Sequence, residues 1–129
     1  MKTAELSLYI IEDDAYFRDT LADVMALNGV SVSGAGSGVE GLVALRRARP
    51  SVIILDVQLP DMHGFELCRV IKRMEGLQDV PVILLSASTQ YSDSRDQAEG
   101  LMSGAAAFLS KPITMERLWE EIEVVSQRR

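Results

Sequence analysis

Hydrophobic and polar positions divide the chain into short apolar runs that alternate with segments of helical spacing. An apolar run of four to six residues is typical of a strand buried on both faces of a sheet, whereas apolar residues spaced three and four apart are typical of a helix. This pattern predicts five strands, at 6–11, 30–35, 52–55, 80–85 and 105–109. Each is followed by a helix, which predicts an α/β fold, (βα)5, with helices on both faces of a parallel sheet.

Capping signals mark the ends of the predicted helices. Asp14 is a plausible N-cap for the first helix, which ends at Asn28-Gly29. Ser37 and Glu40 have the spacing of a capping box. A third helix follows Gly64, and the last covers about 114–126, with its cap at the first position. The second strand alternates its apolar residues with serines, so it fits an edge of the sheet.

The fourth helix, at about 93–102, is the least distinct. Only Ala98, Leu101 and Met102 give it an apolar side, and we expect Leu101 to pack inward. The polar, turn-rich segment 87–94 that precedes it predicts a mobile loop.

Composition fits one globular domain, residues 1–129, with 47% hydrophobic and 25% charged residues. The net charge of −6 disfavours a nucleic-acid or membrane surface on this domain. No apolar run approaches the ~20 residues of a membrane span, and the first residues do not resemble a signal peptide. Cys68 is the only cysteine, so no internal disulfide can form, which suits a reducing, cytoplasmic location.

Polar residues that could share one chemistry follow four of the five strands. Because the carboxyl ends of parallel strands lie along one edge of a sheet, these side chains can converge there. Crowded carboxylates repel one another unless a cation sits among them, and Mg²⁺ prefers oxygen ligands. A lysine and a hydroxyl beside such a cation favour a phosphoryl group. The residues concerned are Glu12, Asp13, Asp56, Ser86 and Lys111.

Each signal also has a simpler interpretation. An aspartate after a strand, such as Asp56, is often a turn former or a helix cap. The acids at 12–14 can be a solvated helix start that complements the helix dipole.

The ordered set Glu12-Asp13, Asp56, Ser86, Phe108 and Lys111-Pro112 resembles the receiver domain of two-component response regulators. The resemblance covers essentially 6–125. It implies a doubly wound, flavodoxin-like sheet of five parallel strands in the order 2-1-3-4-5.

The resemblance also implies residue roles at an Mg²⁺ site. Asp56 would be the phosphoacceptor and a metal ligand. Asp13 would bind Mg²⁺ directly, Glu12 through water, and Gln58 through its backbone carbonyl.

Three further roles follow from the same resemblance. Lys111 would pair with the phosphoryl group, and the Lys111-Pro112 peptide would be cis. Ser86 would follow a phosphoryl oxygen, and Phe108 would be the switch aromatic whose ring turns inward as the hydroxyl moves.

As a receiver, the chain would act as a switch with Mg²⁺-dependent self-phosphorylation and self-dephosphorylation chemistry, and not as an enzyme for an external substrate. Its donor would be a sensor histidine kinase, a phosphotransfer protein or a small acyl phosphate. Phosphorylation would change the face formed by the fourth helix, fifth strand and fifth helix. That face would then contact a second copy or an output partner, with no direct contact to nucleic acid or membrane.

Three departures from the family pattern stand out. The segment 105–107 lacks the acids often found before the aromatic, so either Ala106 or Ala107 should present apolar surface. The stretch between Ser86 and Phe108 is a few residues longer than usual. His63 stands where the family often has Asp or Asn, and no role is assigned to it.

Two other classes of function compete with this interpretation. One is a receiver-like docking module that takes no phosphate, which the intact acids, Ser86 and Lys111 disfavour. The other is a phosphatase or flavin protein on a similar fold. A phosphatase would need an Asp-x-Asp arrangement at the first strand, which Glu12-Asp13-Asp14 does not supply. A flavin protein would need a hydroxyl- or glycine-rich phosphate loop after that strand, where acids stand instead.

Overall fold

The computed structural model of the chain describes residues 6–87 and 94–127. Strands and helices alternate throughout. The strands are β1 (Ser7–Ile11), β2 (Ser31–Ala35), β3 (Val52–Asp56), β4 (Val82–Ser86) and β5 (Ala107–Ser110). The helices are α1 (Ala15–Ala26), α2 (Gly38–Leu45), α3 (Gly64–Arg73), α4 (Ser94–Met102) and α5 (Met115–Gln127).

All five strands are parallel and form one sheet in the order β2-β1-β3-β4-β5. This confirms the expected flavodoxin-like order. β2 lies at an edge, as its alternating serines predicted, and Ser31 and Ser33 are exposed. β3 is the central strand and is buried along its whole length, so Asp56 ends a strand that is covered on both faces.

Two apolar layers flank the sheet, because successive residues of each strand point to opposite faces. Ile53 packs in one layer with Leu67 and Ile71 of α3. Ile54 packs in the other with Leu21 of α1 and Ile122 of α5. Helices therefore cover both faces, and all carboxyl ends of the strands remain at one edge.

The predicted caps are confirmed. The Asp14 carboxylate accepts a hydrogen bond from the Phe17 amide at 3.2 Å, and the Ser37 hydroxyl accepts one from the Glu40 amide at 3.2 Å. Thr114 caps α5 through the Arg117 amide at 3.0 Å.

The apolar side predicted for α4 is wrong. Ala98, Leu101 and Met102 are all exposed, and Leu101 keeps 46% of its surface accessible. The buried residue of α4 is Gly100, which faces the ring of Phe108. A residue without a side chain leaves no trace in a hydrophobic pattern, so the sequence placed the inward side of this helix incorrectly.

β5 is also shorter at its start than predicted, because it begins at Ala107. Ala107 is buried and Ala106 half-buried. Most of the loop predicted to be mobile, 88–93, lies outside the described residues. Among the helices that the structure describes, none is long and apolar enough to cross a membrane.

Candidate functional site

Three carboxylates meet at the carboxyl edge of the sheet. Glu12 follows β1 directly, Asp13 is next to it, and Asp56 is the last residue of β3. One oxygen of each lies within 4.8 Å of the others. Glu12 and Asp56 are buried, whereas Asp13 is exposed. The three acids that the sequence analysis placed near the ends of the first and third strands therefore lie together.

Burial and crowding raise the affinity of two of these acids, Glu12 and Asp13, for protons. The pKa of Glu12 lies above its usual value, first because burial disfavours its charge and then because of its hydrogen bond to Asp56. The pKa of Asp13 is also raised, mainly by a hydrogen bond with Glu12. Such a set of oxygen donors fits a hard divalent cation, whose charge would relieve the repulsion.

Lys111 brings a positive charge to this cluster from the loop after β5. Its ammonium forms an ion pair with Glu12, a residue 99 positions earlier in the chain, and lies 4.5 Å from the centroid of the Phe17 ring. The Lys111 amide donates to the Ser86 carbonyl at 2.8 Å. The Lys111-Pro112 peptide is cis, as expected. Lys111 acts to lower the pKa of Glu12, but burial and the hydrogen bond to Asp56 outweigh it, so the pKa remains raised.

Ser86 and Phe108 lie on the neighbouring strands β4 and β5. Ser86 ends β4 and is buried, while Phe108 lies in β5 and is half-buried. The Phe108 ring meets Phe65 edge to face, with centroids 6.0 Å apart. A Cβ on Gly100 would lie 2.5 Å from the Phe108 ring. The ring therefore faces inward, into space that a glycine of α4 leaves open.

Gln58 lies on the loop between β3 and α3, where it is exposed. Its backbone amide donates a hydrogen bond to the Asp56 carboxylate at 3.2 Å. This bond links the carboxylate to the backbone of the segment whose carbonyl was predicted to bind the metal.

Three residues near the site were missed by the sequence analysis. His63 caps α3, since its Nδ1 accepts from the Phe65 amide at 3.1 Å. Asp61 caps α2 from a different loop. Arg18 donates to the Glu12 carbonyl. The position of His63 just before a helix start was a usable signal, but the other two contacts join segments that no local pattern connects.

An apolar groove with a volume of about 440 Å³ opens beside Lys111. It lies between α1 and the loop after β5, with Tyr16, Phe17, Pro112 and Ile113 among its walls. The groove therefore adjoins the acidic site on the side of α1.

Comparison with known proteins gives one consistent family. The profile described as "Response regulator receiver domain" matches residues 8–123. The chain is 42% identical over 122 residues to the transcriptional regulatory protein AfsQ1 of Streptomyces coelicolor, covering 95% of this chain and 52% of that protein. It is 34% identical over 118 residues to the DNA-binding response regulator MtrA of Mycobacterium tuberculosis, covering 92% and 49%. The chain spans about half the length of these relatives.

Solved structures agree on the fold. The chemotaxis response regulator CheY4 of Vibrio cholerae superposes with a TM-score of 0.85 at 28% identity, covering 93% of this chain and 98% of the other. The order and direction of the strands seen here are therefore shared with receiver domains.

Proposed function

The chain belongs to the response regulator receiver-domain family, and from this premise we propose that Asp56 is its phosphoacceptor. The observation that carries the proposal is the convergence of Glu12, Asp13 and Asp56 with Lys111, from three separate strand ends, around one point. The simpler interpretation of Asp56, as a turn former or cap, does not account for its burial beside two other acids. A phosphorylation-independent docking module is not favoured.

The reaction that we propose is phosphoryl transfer onto the Asp56 carboxylate. A carboxylate oxygen attacks phosphorus, the P–N bond of a phosphohistidine breaks, and the imidazole leaves with the electron pair and takes up a proton. The product is an acyl phosphate, which water later cleaves to inorganic phosphate and the free carboxylate. Lys111 stabilises the equatorial oxygens by exchanging its bond to Glu12 for one to the phosphoryl group.

Mg²⁺ is the proposed cofactor. Asp13, Asp56 and the Gln58 carbonyl would hold it directly, and Glu12 through water. The pKa is raised for Glu12 first by burial and for Asp13 first by its hydrogen bond with Glu12. These raised values support the assignment, because a bound cation would favour the charged forms that these surroundings disfavour. When bound, the ion would supply neutralising charge to the site.

The switch that we propose runs from Ser86 to Phe108. Phosphorylation adds a charge of about −2, which the Ser86 hydroxyl would follow by donating a hydrogen bond. The inward ring of Phe108 would report this movement to the face formed by α4, β5 and α5. Two states of one surface, biased by the added charge, would constitute the output.

The partners are proposed at the same level. A histidine kinase or phosphotransfer protein would supply the phosphoryl group, in the cytoplasm, and residues 1–129 would act as a single receiver domain. The expectation of no contact with nucleic acid is not supported for the whole protein, since MtrA is described as DNA-binding and is about twice as long as this chain. We restrict that expectation to the acidic surface of the receiver itself.

The test is incorporation of a phosphoryl group from a small acyl phosphate with Mg²⁺, followed by intact mass. The wild type is expected to gain one phosphoryl adduct and Asp56→Asn none. Asp14→Asn is the matched control, because it changes a neighbouring acid that caps α1, and it should still be modified. A normal adduct on Asp56→Asn would contradict the assignment.

A further inference from the structure

Asp61 lies outside the acidic cluster and makes two hydrogen bonds to the start of α2. One carboxylate oxygen accepts from the Gly38 amide and the other from the Val39 amide, each at 2.8 Å. Amides in the first turn of a helix have no partner within the helix, and negative charge is favourable there. The pKa of Asp61 is lowered, first by the Gly38 amide and then by that of Val39. Asp61 therefore binds α2 as a carboxylate.

The loop that carries Asp61 begins at Asp56, and its base is tightly closed. The Gly64 amide donates to the Val57 carbonyl at 2.7 Å, and Gln58 and His63 pair as an antiparallel bridge. A Cβ on Gly64 would lie 2.6 Å from the Asp56 carbonyl oxygen. Only a glycine allows α3 to start so close to the phosphoacceptor strand. The two ends of the loop are therefore fixed to each other.

The tip of the loop is fixed by contacts with α2. Asp61 supplies the two hydrogen bonds, and the next residue, Met62, covers Gly38 so closely that a Cβ there would lie 2.6 Å from its sulfur. The end of β2, which leads into α2, is in turn tied to the acidic cluster, because the Glu12 amide donates to the Ala35 carbonyl at 3.1 Å. The loop tip, α2 and the acidic cluster are therefore connected through a continuous series of contacts.

We infer that Asp61 is a positioning residue for the metal site: by clamping the loop tip to α2, it adds to the Gln58–His63 bridge in holding the Gln58 backbone carbonyl in place for a divalent cation. The inference rests on the proposed function, since it concerns the same Mg²⁺. Hard cations such as Mg²⁺ require near-ideal octahedral geometry, so a ligand supplied by a loop backbone depends on what fixes that loop. Groups that hydrogen-bond a metal ligand directly commonly change metal affinity by roughly 10- to 100-fold, and Asp61, which acts one contact further away, is expected at the lower end of that range.

The chain offers a matched control on the same helix. Ser37 also caps α2, by accepting from the Glu40 amide, but the bonds seen for its side chain are to Glu40, on α2 itself. Ser37→Ala and Asp61→Ala both remove capping of α2, whereas only Asp61→Ala releases the loop. Asp61→Asn keeps one acceptor oxygen and places an NH2 group against the second amide, so it should retain part of the clamp.

The experiment measures the Mg²⁺ dissociation constant by calorimetric titration and the hydrogen exchange of the Gly38 and Val39 amides. We expect Asp61→Ala to bind Mg²⁺ about tenfold more weakly than the wild type and to exchange both amides faster. Asp61→Asn should fall between the two, and Ser37→Ala should bind Mg²⁺ as the wild type does.

Two results would overturn the inference. One is wild-type Mg²⁺ affinity in Asp61→Ala although both amides exchange faster. The other is an equal loss of affinity in Ser37→Ala, which would assign the effect to α2 stability. A wild-type protein that binds no Mg²⁺ and gains no phosphoryl adduct would instead overturn the proposed function, and with it this inference, so the two failures are distinguishable.

Discussion

At the scale of single residues, the adjacent acids Asp13 and Asp14 have different surroundings and should respond differently to substitution. Asp13 shares the cluster with Glu12 and Asp56, whereas Asp14 caps α1. We expect Asp13→Ala to weaken Mg²⁺ binding strongly. Asp14→Ala should leave binding nearly unchanged and lower the free energy of unfolding by about 1 kcal/mol, the usual cost of a lost cap.

Mg²⁺ titration and urea unfolding of both variants check this prediction. A larger loss of Mg²⁺ affinity in Asp14→Ala would mean that the register of the acidic run is wrong by one residue.

The raised pKa values of Glu12 and Asp13 predict a pH dependence of stability. A carboxyl group whose pKa is higher in the folded state binds protons more tightly there. Its contribution to stability is therefore present below the unfolded pKa and is lost as pH rises through the folded value. Mg²⁺ competes with these protons, so stabilisation by Mg²⁺ should grow as pH rises.

The measurement compares melting temperatures with and without Mg²⁺ from about pH 5 to about pH 7. This interval lies above the pH near 4 at which ordinary carboxyl groups titrate. The difference between the two curves should widen with pH. Asp13→Ala, which loses one of the competing groups, should show a smaller widening. A difference that stays constant across the range would contradict the prediction.

The residues that the sequence left without a role differ in where their partners lie: the partner of His63 is local and those of Asp61 are distant. His63 was left without a role although it caps α3, because a histidine is an uncommon cap. Asp61 sits in a loop after a proline, where an aspartate is expected on turn propensity alone. Its partners, 22 and 23 positions earlier, became visible only once the sheet had placed α2 beside the loop.

At the scale of elements, Gly100 of α4 sets the position of the Phe108 ring. A glycine in a helix interior normally costs about 1 kcal/mol relative to alanine, so Gly100→Ala would stabilise an ordinary helix. Here the added Cβ would lie 2.5 Å from the Phe108 ring and 3.0 Å from that of Phe65. We expect Gly100→Ala to lower the free energy of unfolding by about 1–3 kcal/mol, as overpacking does.

A double-mutant cycle isolates the contact. In a Phe108→Ala background the larger clash is gone, and Gly100→Ala should cost much less or become stabilising. Urea unfolding of the four proteins gives the coupling energy. An equal cost in both backgrounds would show that the ring and the glycine do not act on each other.

Most element boundaries followed from the sequence because the strands are buried on both faces. Each central strand is an unbroken apolar run that stops at its first polar residue. Asp56 and Ser86 are these residues in β3 and β4. The inward side of α4 could not be predicted from apolar positions, because its buried residue is a glycine. Val39 and Val43 are apolar residues of α2, yet both are exposed. Apolar spacing identifies a helix more securely than it identifies the side that packs.

At the scale of the whole molecule, the face formed by α4, β5 and α5 carries apolar surface, as expected, with Ala106 as the half-buried member of the alanine pair. Ala107 is buried, whereas Met102 of α4 and Val124 of α5 are exposed. We expect Mg²⁺ with beryllofluoride, a mimic of the phosphoryl group, to strengthen self-association through this face. Met102→Glu should weaken that association by about tenfold, or about 1.4 kcal/mol.

Sedimentation velocity measures the association in both states. Leu27→Glu is the control, because Leu27 is an equally exposed apolar residue at the end of α1, outside this face. Equal weakening by Leu27→Glu would contradict a specific role for the face. A monomer in both states at high concentration would leave a different protein as the partner of this face.

The ion pair between Lys111 and Glu12 has a consequence for the growing chain. Its members lie 99 positions apart, and the lysine arrives only with β5, the strand that completes the sheet. A nascent chain extended no further than β4 would hold the three acids without their cation, and the pairing of β5 with β4 would not yet exist. The proposed phosphoacceptor site is therefore complete only once β5 has paired with β4. A copy that lacked β5 would lack the lysine proposed to contact the phosphoryl group.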